Sequence, residues 1–277
     1  MFRCGKYTFD LHRPLIMGVV NVTPDSFSDG GQFFSATAAI EHALQLVEEG
    51  ADILDIGGES SRPGAAPVSL AEELQRILPV IEGLNQIRVP LSIDTYKPEV
   101  MRAALDAGAS MVNDIWALRQ PGALEAVAER DCGLCLMHMQ RDPQQMQQAP
   151  HYADVVREVH EFLRMRVQVL RDHGVAAERL VIDPGFGFGK TLEHNLALLR
   201  QLELFSDLGV PVLAGLSRKS MIAQLTGRER AEQRLAGSLS ATLTAVARGA
   251  KIVRVHDVAA TRDALAVWQA IEVKSER

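Results

Sequence analysis

Leu180-Val181-Ile182-Asp183-Pro184-Gly185-Phe186-Gly187-Phe188-Gly189-Lys190 is the stretch from which the fold can be read. Its three leading apolar residues suit a buried strand. Asp183 ends that strand, and three glycines at alternating positions permit a tight turn with close approach of a ligand to the backbone. Thr191 to Leu204 then carries the apolar spacing of an amphipathic helix. The unit is strand, glycine-rich turn, helix, with a carboxylate at the strand's C-terminal end. Two phenylalanines in the turn offer flat apolar faces, so carboxylate and rings together suit a planar, nitrogen-rich ligand.

Working outward, the same unit recurs along the chain. Apolar runs fall at Leu15–Val20, Ile53–Ile56, Leu91–Ile93, Met111–Val112, Leu134–Met137, Leu180–Ile182, Val210–Ala214 and Ile252–Val255. Helical patterns follow at Thr37–Glu49, Leu70–Leu84, Pro98–Ala107, Ala123–Arg130, Ala153–His173, Leu192–Leu204, Ala231–Arg248 and Ala259–Glu272. Short strands without polar alternation imply burial on both faces, as in a parallel sheet. Eight such units in roughly 250 residues match a closed (β/α)8 TIM barrel. A doubly wound open sheet would carry a dinucleotide fingerprint after the first strand, and no G-x-G-x-x-G opens a helix there. Phe2 to Leu11 reads as a short N-terminal strand or hairpin ahead of the barrel. No linker or compositional break divides residues 1–277, so one domain is expected.

Bulk properties narrow the function. An apolar content of 47% supports a sizeable core, and a net charge of −6 argues against a general nucleic-acid surface. The longest apolar runs are strand-sized, too short to span a membrane, and the first residues lack the apolar core of a secretory leader. A cytoplasmic location is the expectation. Of the three cysteines, Cys132 and Cys135 form a C-x-x-C with His138 nearby. Cys135 lies inside an apolar run and no second pair completes a zinc site, so packing rather than metal binding is expected.

In a barrel of this kind the chemistry gathers at the C-terminal strand ends. Those ends are Asn21, the loop 57–64, Asp94, Asn113, Met137-His138, Asp183, Gly215-Leu216-Ser217-Arg218-Lys219 and Arg254-Val255-His256. Asp94, Asn113 and Asp183 are good partners for ring N–H and amino groups, although each could instead cap the helix that follows. Arg62, Lys219, Arg254 and His256 gather positive charge in an acidic protein, which points to phosphate or diphosphate. Ser61 and Ser217 add hydroxyls. The polar loop from Asn21 to Gly31 and the loop 57–69 are long enough to close over a site, and oxygen donors near a diphosphate could hold Mg2+. No Ser/His/Asp-type nucleophile emerges. The residues thus suggest a barrel that binds a heterocycle deep in its mouth and a diphosphate leaving group nearer the rim.

Four stretches together resemble dihydropteroate synthase, the folate-pathway enzyme inhibited by sulfonamides. They are Met17 to Gly31 (MGVVNVTPDSFSDGG), Asp55 to Gly64 (DIGGESSRPG), Asp183 to Lys190 (DPGFGFGK) and Gly215 to Lys219 (GLSRK). The resemblance runs on through Ile93-Asp94-Thr95, Asn113-Asp114-Ile115, Leu136 to Gln140 and Arg254 to Val258. It implies condensation of 6-hydroxymethyl-7,8-dihydropterin diphosphate with p-aminobenzoate, by a dissociative, SN1-like substitution giving 7,8-dihydropteroate. The pterin is expected on Asp94, Asn113 and Asp183, with Lys219 and Met137 beside it and Gly215 in the same pocket. The diphosphate is expected on Asn21, Ser61, Arg62, Arg254 and His256, with Mg2+ near Asn21. p-Aminobenzoate is expected against Phe188, Pro63, Lys219, Ser217 and Ser61, under a loop carrying Phe27. Catalysis would rest on Asp94, Asp183, Lys219, Arg254 and His256. A homodimer and competitive inhibition by sulfonamides are also implied, and no nucleic-acid or membrane partner is; the apolar faces of the last two long helices are candidate interfaces that could equally pack on the barrel.

Two positions depart from the family pattern. Ser61 stands where threonine is expected, which keeps the hydroxyl and loses a methyl. Arg141 stands where glycine is common. Two rivals bracket the expectation. A methyltetrahydrofolate-dependent corrinoid methyltransferase would share the Asp/Asn floor without needing Arg62, Ser217, Lys219, Arg254 and His256. A non-catalytic relative would have lost rim residues.

Overall fold

The computed structural model describes residues 1–22, 32–60, 64–142 and 145–272. Eight parallel strands close into a barrel: β3 (Leu15–Asn21), β4 (Ile53–Gly57), β5 (Leu91–Asp94), β6 (Met111–Asp114), β7 (Gly133–Met137), β8 (Leu180–Asp183), β9 (Val212–Ala214) and β10 (Ala250–Val255). Their order is β10-β3-β4-β5-β6-β7-β8-β9, so each strand pairs with its neighbour in sequence and β10 closes onto β3. The surrounding helices among the described residues are α1 (Gln32–Glu49), α2 (Leu70–Gly83), α3 (Pro98–Ala107), α4 (Ala123–Val127), α5 (Val155–Asp172), α6 (Leu192–Arg200), α7 (Ser220–Thr226), α8 (Leu235–Ala247) and α9 (Val258–Glu272). Apolar faces of these helices and the outward side chains of the strands form one continuous core.

Ahead of the barrel, β1 (Phe2–Cys4) and β2 (Tyr7–Phe9) make the expected hairpin, joined at Gly5. Phe2 and Cys4 reach the barrel interior, where they pack with Leu15, Met17, Ile53, Met111, Cys135, Val181, Leu213 and Ile252. A side chain on Gly133 would strike the Phe2 ring, since its Cβ would lie 2.8 Å from Cζ. The hairpin is therefore a plug in the N-terminal end of the barrel. All three cysteines are buried free thiols. Burial pushes Cys4 up to about 12 and Cys135 well above the ordinary thiol range, so both are inert packing residues.

Several helix boundaries differ from the sequence pattern. The helix after β8 was expected to reach Leu204, but it stops at Arg200 and tightens into a 3-10 turn over Leu202–Leu208, ending at Gly209 with φ of 69°. The helix after Ala123 ends at Val127 rather than Arg130. After β9 there are two helices where one was expected. The additional α7 is only two turns long and ends on left-handed Gly227, too short to show a helical period. Placing it there sets the residues Ser217 to Lys219 immediately before a helix N-terminus.

Candidate active site

Inward-facing side chains alternate along each strand. One step of two residues above the apolar plug, the inward positions become polar: Asp55 above Ile53, Asn113 above Met111, Asp183 above Val181 and Arg254 above Ile252. Register places Asn21, Gly57, Asp94 and Asn113 across from one another on successive strands. Met137 is likewise opposite Asp183. The polar layer is thus fixed by the strands themselves rather than by loops.

Arg254 is its centre. Nε donates to Asp55 Oδ2 at 2.6 Å and Nη2 donates to Asp94 Oδ2 at 2.8 Å. Asn113 Nδ2 donates to the same Asp55 oxygen at 2.9 Å. Burial alone would lower the Arg254 pKa, but Asp55 and Asp94 more than reverse that, so the guanidinium stays charged. Burial pushes Asp94 up to about 7, against the pull of Arg254. Asp55 was missed by the strand-end reading because it sits mid-strand. A fully buried carboxylate inside Ile53-Leu54-Asp55-Ile56 is costly without partners, and that cost was the available signal.

Asp183 and Lys219 face each other across the glycine-rich turn. Asp183 Oδ1 accepts from Gly185 N at 2.7 Å, and burial raises its pKa while Lys219 and that N–H pull it back. Burial draws Lys219 down to about 8, with Asp183 acting the other way. Its ammonium donates to the Phe186 carbonyl and lies 4.8 Å from the centre of the Phe188 ring. Gly187, at φ of 80°, leaves room for that lysine: a Cβ there would lie 3.2 Å from Lys219 Cδ. Met137 is buried with Ile115, Met139 and Met146, against which Phe188 packs.

At the rim, Ser217 Oγ accepts from His256 N at 3.2 Å and lies 3.1 Å from His256 Nδ1. The resemblance implies different substrates for these two, and the structure puts them in contact. Arg218 forms a two-point ion pair with Asp257 (3.0 and 2.5 Å) and takes φ of 58°. Its backbone N–H donates to Ser238 Oγ at 2.9 Å, which fixes the segment between Ser217 and Lys219. Gly215 is close enough to the site that a Cβ there would lie 3.7 Å from Lys219 Nζ. Asn21 is half-buried at the end of β3. Phe27, Ser61, Arg62 and Pro63 lie outside the described residues. No group of three His, Cys, Asp or Glu side chains positioned to hold a metal occurs among the described residues.

The loop after β4 is anchored by charges that strand-end reasoning did not single out. Lys97 Nζ donates to both Glu59 and Glu73, and Tyr96 OH donates to Glu59 Oε1 at 3.0 Å. Arg76 Nη1 donates to the Gly58 carbonyl at 2.7 Å. A cavity of about 250 Å3 opens beside Asp94, walled by Tyr96, Ile115 and Trp116. The site as a whole is a charged floor with a cation at its centre, an aromatic wall on a glycine-rich turn, and a polar rim.

The family model described as pterin binding enzyme matches residues 17–256, which span this barrel and its charged floor. A dihydropteroate synthase from Neisseria meningitidis serogroup C is 51% identical over 277 residues, covering 99% of this chain and 98% of that one. The Xanthomonas albilineans dihydropteroate synthase with 4-aminobenzoic acid superposes with a TM-score of 0.90 at 59% identity, covering 95% of each chain. The same enzyme in complex with 7,8-dihydropteroate gives 0.88 at 56% identity, covering 96% of each. The chain belongs to the pterin-binding enzyme family, among its dihydropteroate synthases.

Proposed function

We propose that this protein joins 6-hydroxymethyl-7,8-dihydropterin diphosphate to p-aminobenzoate, releasing diphosphate and forming 7,8-dihydropteroate. The observation that carries the reading is the pairing of Arg254 with Asp55 and Asp94 one pleat above an apolar plug. It supplies carboxylates for a pterin and a cation for its leaving group within one small volume. Asp94, Asn113 and Asp183 bind the ring's N–H and amino groups. Arg254 then exchanges a carboxylate for diphosphate oxygens, joined by His256 and by Ser61 and Arg62 of the neighbouring loop.

In the reaction the exocyclic C–O bond breaks and its electron pair leaves with diphosphate. Positive charge spreads over the pterin, where Asp94 and Asp183 stabilise it, while Arg254 and His256 stabilise the departing anion. The aniline lone pair of p-aminobenzoate, held against Phe188 and Lys219, forms the new C–N bond, and the nitrogen then loses its proton. Aniline nitrogen is already nucleophilic, so no strong base is required. Asn21 offers one hard oxygen donor at the rim. That suits Mg2+, which keeps several waters and takes substrate phosphates; bound there, the ion would neutralise the leaving group.

We further infer a homodimer through α8 and α9, on which Leu235, Val267 and Ile271 are exposed apolar side chains. Competition by sulfonamides for the p-aminobenzoate position follows from the same reading. No helix among the described residues is long and apolar enough to cross a membrane. The test is diphosphate release from the pterin diphosphate with and without p-aminobenzoate and Mg2+. Release that depends on both supports the reading. Normal pterin binding without release would sink it.

A further inference from the structure

Packed against the glycine-rich turn lies a second lysine. Lys190 is 4% exposed. Its ammonium donates to Gly185 O at 2.9 Å, Phe188 O at 3.0 Å and His138 Nδ1 at 3.0 Å, with His138 O at 3.4 Å. An ammonium has three protons, and here three acceptors lie within 3.0 Å of it. His138 is held neutral because burial, and then Lys190 itself, drive its pKa well below the ordinary value, so Nδ1 is free to accept. Its ring is clamped edge-on against Phe162, 4.9 Å between centres.

The rest of the turn is pinned by neutral groups. Gly187 N donates to Asn195 Oδ1 at 2.7 Å, and Tyr152 OH donates to Gly189 O at 2.8 Å. Gly185 is forced against the end of β7: a Cβ there would lie 1.9 Å from His138 O. Lys190 is the group that ties this contact to the Phe188 carbonyl. Asp183, in contrast, is held by its own strand and by His138 N, which donates to Asp183 O at 2.9 Å. Asp183 is thus anchored by its own strand, whereas the Phe188 carbonyl, lying between the Asn195 and Tyr152 anchors, is held by Lys190.

We propose that Lys190 is a positioning residue for the second substrate, fixing Phe188 through its carbonyl so that the ring presents a ready-made wall to p-aminobenzoate. It touches neither substrate. Its influence on the second substrate passes through the backbone it holds. The proposal rests on the synthase reading above.

The test uses Lys190→Met, which keeps the length of the side chain and removes its donors. The KM for p-aminobenzoate should rise at least tenfold. The dissociation constant for the pterin diphosphate, measured by titration calorimetry, and the kcat at saturating p-aminobenzoate should each stay within threefold. Lys190→Gln, with amide donors and no charge, should give a smaller rise and covers the case in which the methionine variant does not fold. In a double-mutant cycle with Phe188→Ala, the Lys190 effect on KM should largely disappear, because the ring that it positions has been removed. An unchanged KM in the folded variants, or effects that simply multiply in the cycle, would overturn the proposal. Wild-type turnover is measured in the same assay. A wild type that makes no dihydropteroate overturns the synthase reading, whereas a working wild type indifferent to Lys190 overturns this proposal alone.

Discussion

The lower and upper halves of the barrel interior are built from the same strands, yet they do opposite work. Below, Ile53, Met111, Val181 and Ile252 meet Phe2 and Cys4 in a dry plug. Two residues further along, Asp55, Asn113, Asp183 and Arg254 form a charged cluster. A single pleat separates apolar packing from the chemistry, because alternate residues share one face of a strand. The difference teaches that stability and function are neighbours in sequence here but separable by mutation. Substituting a plug residue should cost stability and spare turnover, and substituting a residue one step up should do more to turnover.

The largest effect is expected from Arg254→Met. Losing the cation proposed to meet the leaving group should lower kcat/KM on the order of 10³-fold. The same change leaves Asp55 buried with only Asn113, so unfolding free energy should fall by about 3 kcal/mol in urea melts. Unchanged turnover would break the assignment of chemistry to the upper layer. Phe2→Ala tests the lower layer. Removing a fully buried ring that stacks on Phe9 should cost roughly 3–5 kcal/mol, with kcat/KM per folded molecule within twofold of wild type.

A smaller effect is expected from pH. Burial raises Asp94 to about 7 and lowers Lys219 to about 8. On the proposed reading the pterin needs the Asp94 carboxylate, so kcat/KM for the pterin diphosphate should fall about tenfold per unit below pH 7. With Lys219 acting as a cation, as proposed, the same constant should fall again above about 8. Asp94→Asn should flatten the acid limb and leave the alkaline one. The smallest effect is Ser61→Thr. One restored methyl is worth about 0.8 kcal/mol, or roughly fourfold in sulfonamide affinity. Equal affinities in a competition titration would remove the idea that serine loosens that pocket.

Much of this was legible in the chain. The eight apolar runs marked the strands, and the barrel rule turned their ends into Asp94, Asn113, Asp183 and Arg254, which the structure places on one floor. The rest was hidden for identifiable reasons. Asp55 lies inside a strand, where reading only strand ends passes over it. Helix α7 is two turns long and shows no period. Lys190 looks like any lysine after a glycine-rich turn, and only its three acceptors reveal it as buried. Arg141 was flagged as standing where glycine is common, and its φ of 62° gives the reason: glycine takes that conformation without strain. The expected roles of Phe27, Ser61, Arg62 and Pro63 concern positions outside the described residues.

The most direct measurement is the stoichiometry of products from the wild-type protein given both substrates and Mg2+. One dihydropteroate should form for each diphosphate released, with negligible diphosphate when p-aminobenzoate is withheld. Diphosphate released at the same rate without the amine, or no dihydropteroate alongside it, would contradict the assignment of synthase chemistry to the upper layer of the barrel.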